Sequence, residues 1–388
     1  DDTKDSINHV ISNEKDLHYL VSLPNGEYTG YYRITDNNEK TNWTATFGLT
    51  VKSLTNEGFM VLCDDNGQAR LDMISNLSEK EYITAYNIWA EEDFDFGKPK
   101  NLFFNYNLNT SSSTMYVSES GTYLLDKNLM TSEALNIRWT FGATPDKVII
   151  DGSKSTTFSY NAPRELLITN DGDLYVRSTS LAGSMYEFPI NFVNGLNNFK
   201  VSPIIGMPIP DNAGGYWPFG HTILLYDNTN KEFLELRDVD EYPTKINFVN
   251  NNALFSSKTN REILFAHSTL NRETFAILKD EGENKVYIYG MNLEPDRKNT
   301  QSRYMELIGP ELDKAKKFAF HPLLPYLFYS TNNKVYQYNY TQPNEPAWEV
   351  LSYNNSQIAT INFFPVVGWN PYQTWERNKA LLLVVGTN

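Results

Sequence analysis

Two short apolar runs flank a polar turn in residues 223–234, which read ILLYDNTNKEFL. This pattern predicts a β-hairpin, because Asn and Asp adopt the backbone angles of tight turns while aliphatic and aromatic side chains favour strands. The same pattern recurs at intervals of 49 to 58 residues, with turns centred on residues 66, 121, 171, 229, 284 and 333. The chain therefore has an internal repeat whose unit contains one hairpin.

A repeat of this length predicts a β-propeller, in which blades of about four short strands recur every 40 to 50 residues or so. Six turns are present, and the apolar run at residues 381–385 falls where a seventh repeat ends, so we predict about seven blades over residues 54–388. One small sheet cannot bury both of its faces alone, whereas blades packed around an axis bury them all. The alternative is a large sandwich, or two stacked sheets, with hairpins that are evenly spaced by coincidence.

Composition supports an all-β class and excludes several functions. Of the 388 residues, 25 are Tyr and 22 are Phe, and both types suit the half-buried faces of sheets. Lys and Arg number 33 against 47 Asp and Glu, and the net charge of −14 disfavours binding to nucleic acid or anionic lipid. The single cysteine, Cys63, excludes an internal disulfide and a thiolate metal cluster. The longest apolar run is far shorter than the roughly 20 residues of a membrane helix, so we expect a soluble chain.

Residues 1–53 differ from the repeats that follow. Three strand-like runs occur at residues 17–23, 26–36 and 43–51, and the last two alternate apolar with polar residues around a polar turn. They resemble the closing hairpin of an immunoglobulin-like domain of the polycystic-kidney-disease (PKD) type, in which a Gly-x-Tyr strand ending in Asp precedes a strand rich in Val and Thr. Such a sandwich takes roughly 100 residues, so either its first half is absent from this chain or the hairpin packs against the propeller.

The two parts together are similar to the PKD-like surface lipoproteins of Bacteroidetes. The resemblance is carried by residues 28–36 and 49–53, by the stretch NEGFMVLCDDNGQARLD at residues 56–72, and by the blade turns at residues 170–175 and 225–233. It implies a PKD/immunoglobulin-like segment followed by a β-propeller, a cell-surface location on the outer membrane, and a lipid anchor. The lipid-bearing N-terminal Cys of such lipoproteins is not in this chain, so the anchor is implied by kinship only.

The resemblance also implies partners, and it implies no known reaction. Such lipoproteins often accompany a transporter of the SusC/SusD type, which pairs a TonB-dependent barrel with a substrate-binding lid lipoprotein. We therefore expect a non-enzymatic accessory subunit of an outer-membrane nutrient-uptake complex that binds transporter components, other surface lipoproteins, or an oligopeptide or glycan. Long propeller loops would raise the ligand's effective concentration near the importer. The alternatives are a propeller-type glycan hydrolase or lyase, and a purely structural adhesion module.

Two Trp-bearing loops are candidate sites for binding a ligand or a partner. Gly and Pro interrupt regular structure at residues 214–221 and 368–375, where several aromatic rings occur together. Such rings suit stacking on sugars or gripping peptides and proteins. Alternatively, these loops plug the central channel or cap a blade. The candidate binding residues are Tyr216, Trp217, Phe219, Trp369, Tyr372 and Trp375.

No motif assigns a catalytic residue, a metal site or a cofactor. His221, His267 and His321 recur about once per repeat but at different distances from the turns, which favours packing or surface roles over a shared metal site. We interpret the acids at residues 91–96 and 238–241 as solvated loop charge, not as a glycosidase pair. The Asp- and Asn-rich turns at residues 64–67 and 227–230 lack the closing Glu of a calcium loop, so they are interpreted as hairpins.

Overall fold

The computed structural model describes residues 10–24, 26–51, 55, 58–78, 81–105, 113–126, 128–155, 164–178, 183–192, 199–207, 222–237, 240–294, 296–364 and 383–387. Within these residues the regular elements are 24 strands in small sheets and three short 3-10 turns, which confirms the predicted all-β class. In this part of the chain, no helix has the length and hydropathy of a membrane span. The contacts divide the chain into two compact units, residues 1–65 with 70–93, and residues 66–69 with 94–388.

The first unit begins with a hairpin of β1 (Gly26–Thr35) and β2 (Asn42–Val51), in which Gly26 pairs with Val51 and Thr35 with Asn42. Asp36 fixes the turn between them, because its carboxylate accepts the backbone N–H groups of Asn38 and Glu39. A three-stranded sheet follows, with the order β3 (Gly58–Asp65), β4 (Gln68–Ser78) and β5 (Glu81–Ala85).

The strand-like run at residues 17–23 is not a strand, so this part of the prediction was wrong. Within the described ranges, β1 and β2 form a sheet of two strands only. The run at residues 17–23 pairs with neither of these strands. Its Leu20 is 92% exposed, and an unpaired run gains neither cross-strand hydrogen bonds nor packing. The two later runs are confirmed as β1 and β2. The PKD-like character of this segment and a domain boundary after residue 53 stay predictions.

The second unit contains six small sheets within its described residues. The first three are β6 (Pro99–Asn105), β7 (Ser113–Ser118) and β8 (Thr122–Leu125); β9 (Ile150–Ser155), β10 (Arg164–Thr169) and β11 (Leu174–Ser178); and β12 (Thr222–Asp227), β13 (Glu232–Arg237) and β14 (Thr244–Lys245). The next two have four strands, β15 (Glu262–Ser268), β16 (Glu273–Lys279), β17 (Val286–Asn292) and β18 (Thr300–Glu306), and then β19 (Lys317–Phe320), β20 (Tyr326–Ser330), β21 (Lys334–Asn339) and β22 (Trp348–Ser352). The last sheet pairs β23 (Ile358–Asn362) with β24 (Val384–Thr387), and the 3-10 turns are Glu133–Leu135, Ile137–Thr140 and Leu312–Lys314.

The six predicted hairpin turns are confirmed, because each joins two neighbouring strands of one sheet. At the turn after β12, the carboxylate of Asp227 accepts the backbone N–H groups of Thr229 and Asn230 and the side-chain amide of Asn230. Asp227 is 1% exposed. Its oxygens are thus occupied by the turn itself, which accounts for the Asp and Asn residues there as a hairpin.

Successive sheets of the second unit pack against one another as propeller blades do. Their first strands lie side by side, with β6 beside β9, β15 beside β19, and β19 beside β23. Hydrophobic clusters fill the space between sheets, and one of them joins Leu166 and Ile168 of β10 to Ile223 and Leu225 of β12. Radial repetition of short antiparallel sheets is the β-propeller arrangement, so the predicted propeller is confirmed. The number of blades stays a prediction.

A buried ion-pair network corrects the interpretation of Asp240, whereas Glu241 is exposed, as predicted, and Asp238 lies outside the described residues. Asp240 follows β13, its side chain is 9% exposed, and it accepts hydrogen bonds from the guanidinium groups of Arg237 and Arg297 at 2.8 and 3.0 Å. Burial acts to raise the pKa of Asp240, but the hydrogen bonds and charges of the two arginines outweigh it and lower that pKa. Because Arg297 follows β17, the network ties two neighbouring sheets together. Asp240 is therefore a structural ion-pair residue and not solvated loop charge.

Candidate functional site

The six aromatic residues predicted to bind a ligand lie outside the described residues, as does His221. They are Tyr216, Trp217, Phe219, Trp369, Tyr372 and Trp375. The described flanks of the two loops occupy equivalent positions. Residues 201–206 bridge to β12 at Val201–Asp227 and Gly206–Leu224, which makes this segment the innermost of its sheet, and the second loop follows β23, the first strand of its own sheet. A binding role for these aromatic residues stays a prediction.

The other two histidines have different surroundings. The Nδ1 atom of His321 accepts the backbone N–H groups of Leu323 and Leu324 at 3.1 and 2.9 Å, and its ring meets Phe363 edge to face at 5.0 Å. His321 thus has the packing role predicted for it. His267 is different, because its Nε2 atom is buried and has no hydrogen-bond partner.

A lysine without a partner faces the space among the inner strands. In β9, Ser153 and Ser155 are buried, whereas Lys154 points to the opposite side of the strand and borders open space. Its ammonium is nevertheless desolvated by the protein around it, which lowers the pKa of Lys154. Among the described residues, no side chain forms an ion pair or a hydrogen bond with Lys154.

His267 of β15 lies within electrostatic range of Lys154. Burial, and then the charge of Lys154, lower the pKa of His267 to about 4, so the imidazole is uncharged at neutral pH. Its ring stacks on Phe265 at 6.2 Å and on Phe320 at 6.5 Å between centroids. His267 is therefore the uncharged member of this pair, which we call the Lys154–His267 site.

The low pKa of His267 predicts a measurable pH dependence of stability. The unfolded chain takes up a proton below about pH 6.5, while the folded chain does so only near pH 4. The free energy of unfolding should therefore fall by at most about 3 kcal/mol as the pH decreases from 6.5 to 4. The variant His267→Phe keeps the aromatic stacking and should lose this contribution. Urea unfolding of both proteins at pH 7 and pH 4.5 measures it, and an equal pH dependence in the two would contradict the prediction.

A second polar cluster, the Glu165 cluster, holds β6, β9 and β10 together on the opposite face of β9. The Oε2 atom of Glu165 accepts from Arg177 Nε and Nη2 at 3.0 and 2.7 Å and from the Tyr186 hydroxyl at 2.9 Å. Its Oε1 atom accepts from Asn105 Nδ2 and Ser113 Oγ at 3.1 and 3.2 Å. The carboxylate is 3% exposed, so these bonds replace its lost water.

The Glu165 cluster is suited to a structural role. Burial, and then the charge of Glu165, raise the pKa of Tyr186 well above its ordinary value, so this hydroxyl stays protonated and donates. The Arg177 guanidinium also lies 4.9 Å above the Tyr186 ring. Both carboxylate oxygens of Glu165 thus accept hydrogen bonds from neighbouring side chains. A carboxylate held in this way positions β9, and with it Lys154, but has no free oxygen for acid–base chemistry.

The described residues include no group of three or more His, Cys, Asp or Glu side chains placed to hold a metal ion. The acids Glu91, Glu92 and Asp93 are exposed, in agreement with their interpretation as solvated charge. Sequence reasoning missed Lys154, because a lysine between two serines in a short strand looks like a solvent-facing residue. The available signal was its place in the first strand of a blade, since the first strands of the blades surround the central channel of a propeller.

Comparison with known proteins gives a fold-level likeness only. No protein-family model matches the chain, and no curated protein matches it. Among solved structures, it is similar to BBS1N in complex with ARL6DN, with 10% identity, a TM-score of 0.43, and coverage of 78% of this chain and 84% of that one. YCF48 from Cyanidioschyzon merolae has 9% identity and a TM-score of 0.42, with 79% and 90% of the two chains covered.

A third similar structure is the extracellular domain of the putative hybrid two component system BT4673 from B. thetaiotaomicron. It has 12% identity and a TM-score of 0.43, with coverage of 86% of this chain and 44% of that chain. The structural neighbours thus include an extracellular domain from a Bacteroides species.

Proposed function

We propose that this chain is a non-enzymatic, cell-surface β-propeller that serves as an accessory lipoprotein of an outer-membrane nutrient-uptake complex. The observation that carries the binding role is the unpartnered, desolvated Lys154 beside an uncharged His267. The buried acids Glu165 and Asp240, in contrast, are held by arginines. An unpartnered ammonium group of this kind is suited to binding a negatively charged ligand, which is the role of a binding protein.

The proposal of protein partners rests on the resemblance to PKD-like surface lipoproteins and on the exposed face of the β1–β2 hairpin. Tyr32, Ile34, Trp43 and Phe47 lie on one face of this hairpin and are between 42% and 58% exposed. Apolar faces of this kind are typical of sites that bind other proteins. We propose transporter components of the SusC/SusD type as these partners.

Copurification tests this function directly. The native protein, extracted from outer membranes in mild detergent and captured through a tag, should bring with it a TonB-dependent barrel and its lid lipoprotein. The variant Trp43→Ser/Phe47→Ser removes two exposed rings of the proposed binding face and should bring down less of both partners. A native protein that always elutes alone would contradict the partner proposal.

One observation favours the alternative of a glycan lyase over a hydrolase. Elimination from a uronate needs a cation that neutralises the sugar carboxylate and a base that removes a proton, and Lys154 is a residue type that suits the first of these roles. A lyase would produce an unsaturated sugar that absorbs in the ultraviolet. Incubation with pectin or alginate would reveal this product, and its absence at high protein concentration would reject the enzymatic alternative.

A further inference from the structure

We propose that the Lys154–His267 site binds the carboxylate group of a ligand, with the Lys154 ammonium as the anchoring charge. This inference deepens the proposed function by naming the chemical class of the ligand. It rests on the proposed function only for the source of that ligand. It is carried by the position of Lys154 in the first strand of its blade, bordering open space but desolvated by the protein around it.

The chemistry of Lys154 calls for an anion. An ammonium group has three hydrogen-bond donors and no acceptor, and within the described part of the chain none of these donors has a partner. The ammonium borders open space but is desolvated by the protein around it, and a desolvated charge is stabilised by a counter-charge. A ligand carboxylate supplies both the missing charge and the missing acceptors.

The neighbouring acids are not placed to neutralise Lys154. Glu165 pairs with Ser155 across β9 and β10, so it lies on the opposite face of the sheet, where its oxygens already accept five hydrogen bonds. Asp151 is exposed and lies three residues earlier in β9, or about 10 Å away along the strand. Glu262 begins β15, five residues before His267, or roughly 16 Å away along that strand.

A single carboxylate suits this site better than a phosphate. One lysine provides one positive charge, and His267 is uncharged at neutral pH. Phosphate sites in proteins gather several donors and charges, commonly with arginine, whereas Lys154 is the only charged side chain that shifts the pKa of His267 among the described residues. The half-buried rings of Phe265 and His267 stack on each other in β15, so the His267 side of the site also carries an apolar ring.

Two sources of such a carboxylate fit an uptake protein, the C-terminus of an oligopeptide and the uronate group of an oligosaccharide. Calorimetric titration at pH 7 distinguishes them. The peptide arm compares acetyl-trialanine that has a free C-terminus with the same peptide as its C-terminal amide. The sugar arm compares digalacturonate with the neutral disaccharide galactobiose.

We expect at least one carboxylate probe to bind, and its uncharged counterpart to bind at least tenfold more weakly. The variant Lys154→Met keeps the length of the side chain and removes the charge, so it should weaken carboxylate binding at least tenfold. The matched control is Lys317→Met, which removes an exposed lysine from the first strand of another blade and should bind as the native protein does. Circular dichroism and melting temperature of each variant establish that the fold is retained.

Three results would overturn the inference: no binding of either carboxylate probe at millimolar concentration, equal binding of the charged and uncharged probes, or undiminished binding by Lys154→Met. The variant His267→Phe is a second check, because it keeps the stacking and the charge of Lys154. It should reduce affinity less than Lys154→Met does, and a larger reduction would contradict Lys154 as the anchor. Copurification with transporter components is measured separately, so its success alongside a failed titration would reject this site and leave the proposed function standing.

Discussion

Replacing Glu165 by Ala is expected to lower the free energy of unfolding by about 3–5 kcal/mol, because it leaves a buried guanidinium without its counter-charge. Glu165 is 3% exposed and Arg177 19% exposed in their side chains, and the two are joined by hydrogen bonds from both Nε and Nη2. The variant also removes the acceptor used by Asn105 of the neighbouring sheet. Urea unfolding monitored by tryptophan fluorescence measures the loss.

Two further variants separate the charge of Glu165 from its shape. Glu165→Gln keeps the size and one acceptor oxygen, so it should cost about 1–3 kcal/mol. Glu119→Ala is the matched control, since Glu119 is 59% exposed and pairs with Lys98 at 3.8 Å, and such exposed pairs contribute at most about 1 kcal/mol. If Glu165→Ala costs no more than Glu119→Ala, the Glu165 cluster is not a structural anchor of this blade.

Local patterns in the sequence predicted the hairpins but not the polar contacts between blades. A turn such as residues 227–231 is determined by neighbours within four residues, so Asn and Asp mark it reliably. Glu165, by contrast, receives its partner Asn105 from a strand 60 residues earlier, and Asp240 receives Arg297 from 57 residues later. Nothing in the sequence near either acid indicates its distant partner, which is why Asp240 was interpreted as solvated charge.

The candidate site shows the same division. The strand that contains Lys154 was not predicted from the sequence, and the position of this strand beside β6 follows from packing between blades. The strand-like run at residues 17–23 failed for the converse reason. Its own sequence suits a strand, but a strand also needs a partner, and the described residues provide none there.

The largest effect in the apolar core is expected for Phe320→Ala, with a loss of about 3–5 kcal/mol in the free energy of unfolding. Phe320 ends β19 and is 1% exposed. Its ring stacks on Phe275 of β16 with centroids 4.4 Å apart, and Tyr340 lies 6.0 Å away. Because Phe275 and Phe320 belong to neighbouring sheets, the variant opens a cavity between two blades and not within one.

Phe104→Ala is the matched control, since Phe104 is in the first strand of its own blade, as Phe320 is, but is 58% exposed. It should cost less than about 1 kcal/mol. Phe320→Leu fills most of the volume and should cost an intermediate amount, about 1–2 kcal/mol. The ordering of these three losses tests whether blade-to-blade packing, which the repeated Tyr and Phe residues provide, is the main source of stability. If Phe320→Ala and Phe104→Ala cost the same, the interface between these blades is not tightly packed, and blade-to-blade packing is not the main source of stability.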